Sequence, residues 1–264
     1  MNAKAVVLAS ATLSAATLAS CGQPKTVAAQ QAPPPADTSD PGYRAAPQVG
    51  GVTLAADGAV TLSGRALPSS QVRMDSPGAH IEAPTNGSGI WSASMGPVTE
   101  PALYSLTQAA GGQTVEAGGY VAVLPGAPTV ALLRAGLGAE VVQASGKGAL
   151  KILAVDYDAA GAAVVSGRAS GPSPVRVLVD GQVLVEGSAG PDGRFSLTLS
   201  KPLPTGGHRL QAVTPKAEAD AEVVVTPPAP PKGAPYQAHT QSFGWRVDWI
   251  TPGGGAQATL LLAG

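Results

Sequence analysis

The chain has 264 residues, of which only 12% are charged, with a formal net charge of −1 and a single cysteine. That balance excludes a basic stripe for nucleic acid, an acidic block for metal storage and any disulfide within the chain. Its 34 glycines and 25 prolines punctuate short Val- and Thr-rich runs, the pattern of an all-β protein with many turns.

The chain opens with Met1-Asn2-Ala3-Lys4, followed by a short apolar run from Ala5 to Leu18 that contains Val6, Val7, Leu8 and Leu13. One positive charge, a short apolar stretch and small residues at its end predict a secretory signal peptide over residues 1–20. The run is too short, and too rich in Ser, Thr and Ala, for a transmembrane helix of about 20 apolar residues. It ends in Leu18-Ala19-Ser20-Cys21. This tetrapeptide resembles the lipobox of bacterial lipoproteins, an aliphatic residue and two small ones before a cysteine. The resemblance implies cleavage before Cys21 and acylation of Cys21, palmitate included. Each buried methylene contributes about 0.8 kcal/mol, so a stable anchor needs more than one chain, as this family supplies. It also implies attachment to the membrane through Cys21 and a place in the cell envelope. With Gly22, rather than Asp, after the cysteine, the implied site is the outer membrane, facing the periplasm.

Residues 21–49 contain Ala32-Pro33-Pro34-Pro35-Ala36 and Asp40-Pro41-Gly42, with almost no large apolar side chains. Such a segment has no core to bury and is expected to be an extended spacer.

An internal repeat follows. Val60-Thr61-Leu62-Ser63-Gly64-Arg65-Ala66 recurs as Ala163-Val164-Val165-Ser166-Gly167-Arg168-Ala169. Val72-Arg73-Met74 recurs as Val175-Arg176-Val177, Gly89-Ile90-Trp91-Ser92 as Gly193-Arg194-Phe195-Ser196, and Val121–Pro125 as Val223–Pro227. Two modules are predicted, over residues 50–126 and 127–228. Each carries about seven short strand-like runs. In the second, Asp180-Gly181 between Val-rich runs is a two-residue hairpin signal. Seven alternating strands at this spacing predict an immunoglobulin-like sandwich, with Trp91 and Phe195 as matching core plugs. The fold class expected is all-β: two immunoglobulin-like β-sandwich modules plus a C-terminal β-hairpin, after a signal peptide and a disordered linker. The second copy, from Ala154-Val155-Asp156-Tyr157-Asp158 through Gly207-His208-Arg209-Leu210, resembles the bacterial Ig-like module of alphaproteobacterial envelope proteins. Relatives of that module often precede a LysM peptidoglycan-binding module, and no LysM-like segment is read here.

Between the copies, Thr129–Leu133 and Glu140–Gln143 read either as the first strand of module two or as a hairpin bridging the modules. Residues 229–264 read as a linker and a hairpin, with Phe243–Ile250 and Ala258–Leu262 flanking Thr251-Pro252-Gly253-Gly254-Gly255. Trp245, Val247 and Trp249 share one face, and Arg246 and Asp248 the other. Such a strand either packs on a module or completes a partner's sheet. Trp245, Arg246, Asp248 and Trp249 are therefore the candidate interaction residues.

No chemistry-bearing constellation stands out. His80, His208 and His239 are far apart, G-x-S-x-G is absent, and Ser63 and Ser166 repeat as strand residues. Asp156, Asp158, Asp180 and Asp192 read as turn residues rather than calcium ligands, and Asn86-Gly87-Ser88 as a turn. Lys147 in Ser145-Gly146-Lys147-Gly148 lacks P-loop spacing. The expectation is no catalytic residue, no metal, no cofactor and no nucleic acid. The expected function is that of a non-enzymatic structural or protein-interaction module in the periplasm, binding another envelope protein. The alternative is a carbohydrate- or peptidoglycan-binding envelope module.

Overall fold

The computed structural model describes residues 44–126, 129–142 and 149–263. The expected signal peptide, Leu18-Ala19-Ser20-Cys21, most of the linker and Ser145–Gly148 lie outside the described residues. No helix occurs among the described residues, and all strand pairings are antiparallel.

The first module comprises β1 (Gln48–Leu54), β2 (Ala59–Arg65), β3 (Gln71–Ser76), β4 (Ala79–Pro84), β5 (Ile90–Pro97), β6 (Ala102–Ala110) and β7 (Gln113–Leu124). Sheet β1-β2-β5 faces sheet β4-β3-β6-β7 across a core of Val60, Leu62, Met74, Trp91, Leu106 and Val121. Two further strands, β8 (Thr129–Leu133) and β9 (Glu140–Val142), extend the second sheet beyond β7. They are a hairpin on module one, so the boundary predicted at 126/127 moves past Val142. Strand β8 continues the sheet because Val130 faces the module core while Ala131 and Leu133 face away from it into a second apolar cluster.

The second module repeats the arrangement with β10 (Lys151–Asp158), β11 (Ala163–Arg168), β12 (Ser173–Val179), β13 (Gln182–Ala189), β14 (Arg194–Thr198), β15 (Gly206–Thr214) and β16 (Ala217–Val225). Sheet β10-β11-β14 faces sheet β13-β12-β15-β16. Asp180 and Gly181 take φ of 50° and 80°, the left-handed pair that a two-residue β12–β13 turn requires. The repeated Ser-Gly-Arg also has a structural cause. Gly64 lies opposite Trp91, and Gly167 opposite Phe195. A Cβ on either glycine would strike the aromatic ring and a carbonyl of the neighbouring strand, Gln48 O or Lys151 O. The glycine thus makes room for the plug, and both plugs are buried as expected.

The C-terminal segment departs most from expectation. It forms three strands, β17 (Tyr236–Gln241), β18 (Gly244–Ile250) and β19 (Ala256–Leu262). The hairpin read from the sequence is β18–β19. It is not a separate appendage, because β19 pairs with β10 from Ala154↔Leu261 to Asp158↔Gln257. The second module's first sheet is therefore six-stranded, β14-β11-β10-β19-β18-β17.

The two six-stranded sheets pack on each other. Successive residues along their strands serve different cores. Val121 and Val123 point into module one, while Ala122 and Leu124 point into the seam. On the opposing sheet, Ala258 and Leu260 belong to module two's core and Leu261, Val247 and Trp249 to the seam. A bulge between Ile152 and Ala154 turns both Leu153 and Ala154 toward the seam. The result is four stacked β layers with three apolar cores.

Candidate interaction surface at the seam between the modules

The sequence placed its candidate interaction residues on β18, and the structure encloses three of the four. Trp249 is fully buried in the seam, its ring edge-on to Tyr120 at 5.8 Å between centroids. Its indole Nε1–H donates to Thr259 Oγ1 at 3.1 Å. Trp245 packs against the same cluster and stays partly exposed.

Arg246 and Asp248 point to the other face, as the alternation implies, and are also buried. Arg246 grips Asp248 through two bonds, Nε–H to Oδ2 at 2.9 Å and Nη2–H to Oδ1 at 2.7 Å. Beyond β19 this face has no opposing strand. The chain leaving β16 crosses it instead, and Arg246 donates to Thr226 O, Thr226 Oγ1 and Pro227 O. Tyr157 Oη accepts from Arg246 Nη1 at 3.0 Å and donates to Thr226 O at 3.0 Å. The Ala229 N–H donates to Asp248 Oδ1 at 3.2 Å. A polar pair was needed there because backbone carbonyls, not apolar side chains, form the cover. A partner strand has no access to Trp249, Arg246 or Asp248.

Asp156 is the buried carboxylate of the seam. Its Oδ2 accepts from the Ala139 N–H of module one at 2.7 Å, and its Oδ1 from Thr259 Oγ1 at 2.6 Å and Gln257 Nε2 at 3.5 Å. Burial pushes its carboxyl up to about 6, against these donors and the nearby Arg134, which pull it down. Asp156, read from the sequence as a turn residue, thus lies inside β10 and paired on both sides, whereas Asp158 accepts from the Ala160 and Ala162 N–H groups, Asp192 from Arg194 N–H, and Asp180 from Arg209 N–H and His208. The Asn86 side chain likewise caps its own turn.

Beside Asp156, the β8–β9 connection of module one lies directly on β11 and β14 of module two. Gly138, at φ 80°, allows this contact, since a Cβ there would stand 2.6 Å from Ser196 Oγ and 2.7 Å from Val164 Cγ1. Ser196 Oγ–H donates to Leu137 O. Next to this contact opens a cleft of about 230 Å³ lined by Arg134, Glu140, Arg168, Arg194, Ser166 and Ser196, among others. Glu140 pairs with Arg194, and Arg134 Nη1 stands 3.7 Å from the same carboxylate. Arg194 Nε has no hydrogen-bond partner, with Asp192 Oδ2 3.8 Å away. These cleft residues escaped the sequence reading. Arg168 was visible as part of the repeated Ser-Gly-Arg, but its neighbours come from strands joined only by register.

No family model and no curated protein matches the chain. Among solved structures it is similar to the BSP domain of a biofilm associated protein, at 14% identity and a TM-score of 0.26, covering 70% of this chain and 30% of that one. It is similar to the central fibronectin-III array of RIM-binding protein, at 15% identity and a TM-score of 0.27, covering 81% and 88%. It is also similar to fibronectin(III)-like modules of Clostridium thermocellum CbhA, at 13% identity and a TM-score of 0.22, covering 69% and 94%. Likenesses this distant carry nothing about function, substrate or partner.

Proposed function

We propose that the chain is a lipid-anchored protein of the bacterial cell envelope whose folded part is a non-enzymatic structural or interaction body. The observation that carries this reading is Leu18-Ala19-Ser20-Cys21 directly after a signal-like apolar run. Acylated Cys21 would hold the chain to the outer membrane on its periplasmic side. The Pro-rich stretch before β1 would set the folded body as much as roughly 80 Å from the lipid, at about 3.1 Å per residue when extended. A rigid body suits that role. The three C-terminal strands knit both modules into one stack, and the buried polar groups Asp156, Arg246 and Asp248 are each held by hydrogen bonds from neighbouring segments of the fold. The binding partner would be another envelope protein, met by surfaces other than the enclosed face of β18.

The test is replacement of Cys21 by Ser with metabolic labelling by a palmitate analogue. The expected outcome is loss of label and release from the membrane fraction. Unchanged labelling and membrane recovery in Cys21→Ser would refute anchoring through this residue.

A further inference from the structure

Each of the four sheets has two edge strands, and all but one of these edges resist strand addition in a usual way. Strands β4, β9, β13, β14 and β16 each contain Asp, Glu or Arg, β5 contains Pro97, and β1 is bulged. Strand β17 has no Lys, Arg, Asp or Glu, no proline and no bulge. Its outward groups follow from the register. Ile250 N–H donates to Pro235 O, so Pro235, Gln237, His239 and Gln241 turn their backbone groups toward β18. The N–H and C=O groups of Tyr236, Ala238 and Thr240 point away from it, and β17 pairs with no other described strand.

This edge stands at a step, because the two six-stranded sheets are offset. Tyr120 of β7 meets Trp249 of β18, and Tyr236 of β17 donates its Oη–H at 3.3 Å to Pro101 O, just before β6. Strands β3 and β4 follow β6 in the sheet, so they overhang β17 by two strands, about 10 Å. Two rows of cross-strand neighbours line the overhang, Glu82-Arg73-Thr107-Glu116 and His80-Asp75-Ser105-Tyr120. The second row ends in the seam at Tyr120, so both lie on the seam face. Arg73 pairs with Glu82 at 2.7 Å, and His80 lies between Asp75 and Glu82. Three carboxylates against Arg73 and His80 leave the overhang net negative even with His80 protonated.

We propose that β17 accepts an extended segment of another protein as a seventh strand of its sheet, with Lys or Arg on the side chains turned toward the overhang. The added strand takes the outward N–H and C=O groups of Tyr236, Ala238 and Thr240 and lies beneath β3. The step has room for one such segment but not for a second copy of this chain. Antiparallel pairing of β17 with itself would put a two-fold axis at Ala238, perpendicular to the sheet, with both overhangs on the same side. Each overhang would then occupy the place of the other copy's β6 and β7. The inference names the kind of partner that the interaction body meets and rests on that reading, though not on the lipid anchor.

The experiment follows the fluorescence anisotropy of a labelled peptide, Thr-Lys-Val-Lys-Thr-Lys-Val, added to the full chain at low salt. The control peptide has Glu in place of each Lys. The lysine peptide should bind at least about tenfold more tightly than the glutamate one, and added salt should narrow the difference. Ala238→Pro removes an outward N–H without touching the β18 ladder, and should weaken binding by about tenfold. Should that variant not fold, the peptide itself carries the test. N-methylation of alternate residues blocks one of its two edges, so one methylated series should lose binding and the other keep it. In hydrogen exchange, bound peptide should slow the amides of Tyr236, Ala238 and Thr240. No binding, equal binding of both methylated series, or a dimer of the chain alone that Ala238→Pro abolishes would overturn the proposal. Such a failure removes β17 as the docking edge and leaves the anchored body standing, since that is read from the fractionation of Cys21→Ser.

Discussion

Asp156 shows how one buried side chain can set the pH response of the seam. Its carboxyl is pushed up to about 6 by burial, whereas an aspartate in an unfolded chain titrates near 4. The folded protein therefore holds that proton more tightly than the unfolded one. The contribution of Asp156 to stability is greatest below about pH 4, falls as pH rises toward 6, and stays low above it. The size of the change is about 3 kcal/mol. Asp156→Asn, which is always neutral, should remove this dependence. Its stability relative to the natural chain, read by urea denaturation, should drop by up to about 3 kcal/mol between pH 7.5 and pH 4. A difference that does not vary with pH would mean that the carboxylate is not desolvated at the seam. Arg246 and Asp248 obey a different logic, since each neutralises the other. Deleting one partner of such a buried pair costs about 3–5 kcal/mol, because the other remains charged and enclosed.

At the scale of strands, β18 explains what was legible and what was not. The alternation of Trp245, Val247 and Trp249 against Arg246 and Asp248 gave the strand and its two faces correctly. It did not give the environment of the polar face. A strand with one polar face normally meets water there, but here the face meets the carbonyls of Thr226 and Pro227. Burial by a crossing segment leaves no trace in periodicity. Strand β17 was missed for the opposite reason. It is an edge strand with half of its length exposed, so Tyr236–Gln241 needs no alternating pattern. The strands β10–β16 were legible throughout, because Val175, Val177 and Val179, and Phe195 and Leu197, each commit one face to one core. The cleft of Arg134, Arg168 and Arg194 was not, since it exists only through pairing between distant strands. Truncation before Tyr236 follows from this placement. It strips β19 from β10 and uncovers Ala122, Leu124 and Leu133 of module one. The truncated chain should lose its cooperative thermal transition near physiological temperature, followed by circular dichroism. A truncated chain that melts like the full one would remove β17–β19 from the structural core.

The whole molecule is a four-layer stack in which neither inner sheet has a free face. Two sandwiches joined by a linker would unfold independently. Here the middle core of Leu103, Leu124, Leu133, Leu153, Val247 and Trp249 belongs to both modules at once. Scanning calorimetry should therefore show one transition, with calorimetric and van't Hoff enthalpies in agreement. Two separated transitions would show that the seam contributes little. The pairing of β10 with β19 has one more effect, on the order of assembly. Thr259 meets Asp156 across 103 residues of sequence, and β19 lies beside β10 along five paired positions. During synthesis the border of β10, with Ile152, Leu153, Ala154 and Val155, emerges long before the strand that seals it. Until then the newborn second sandwich carries an open, sticky margin, which makes the interval between the two strands the hazardous stage in the life of the chain.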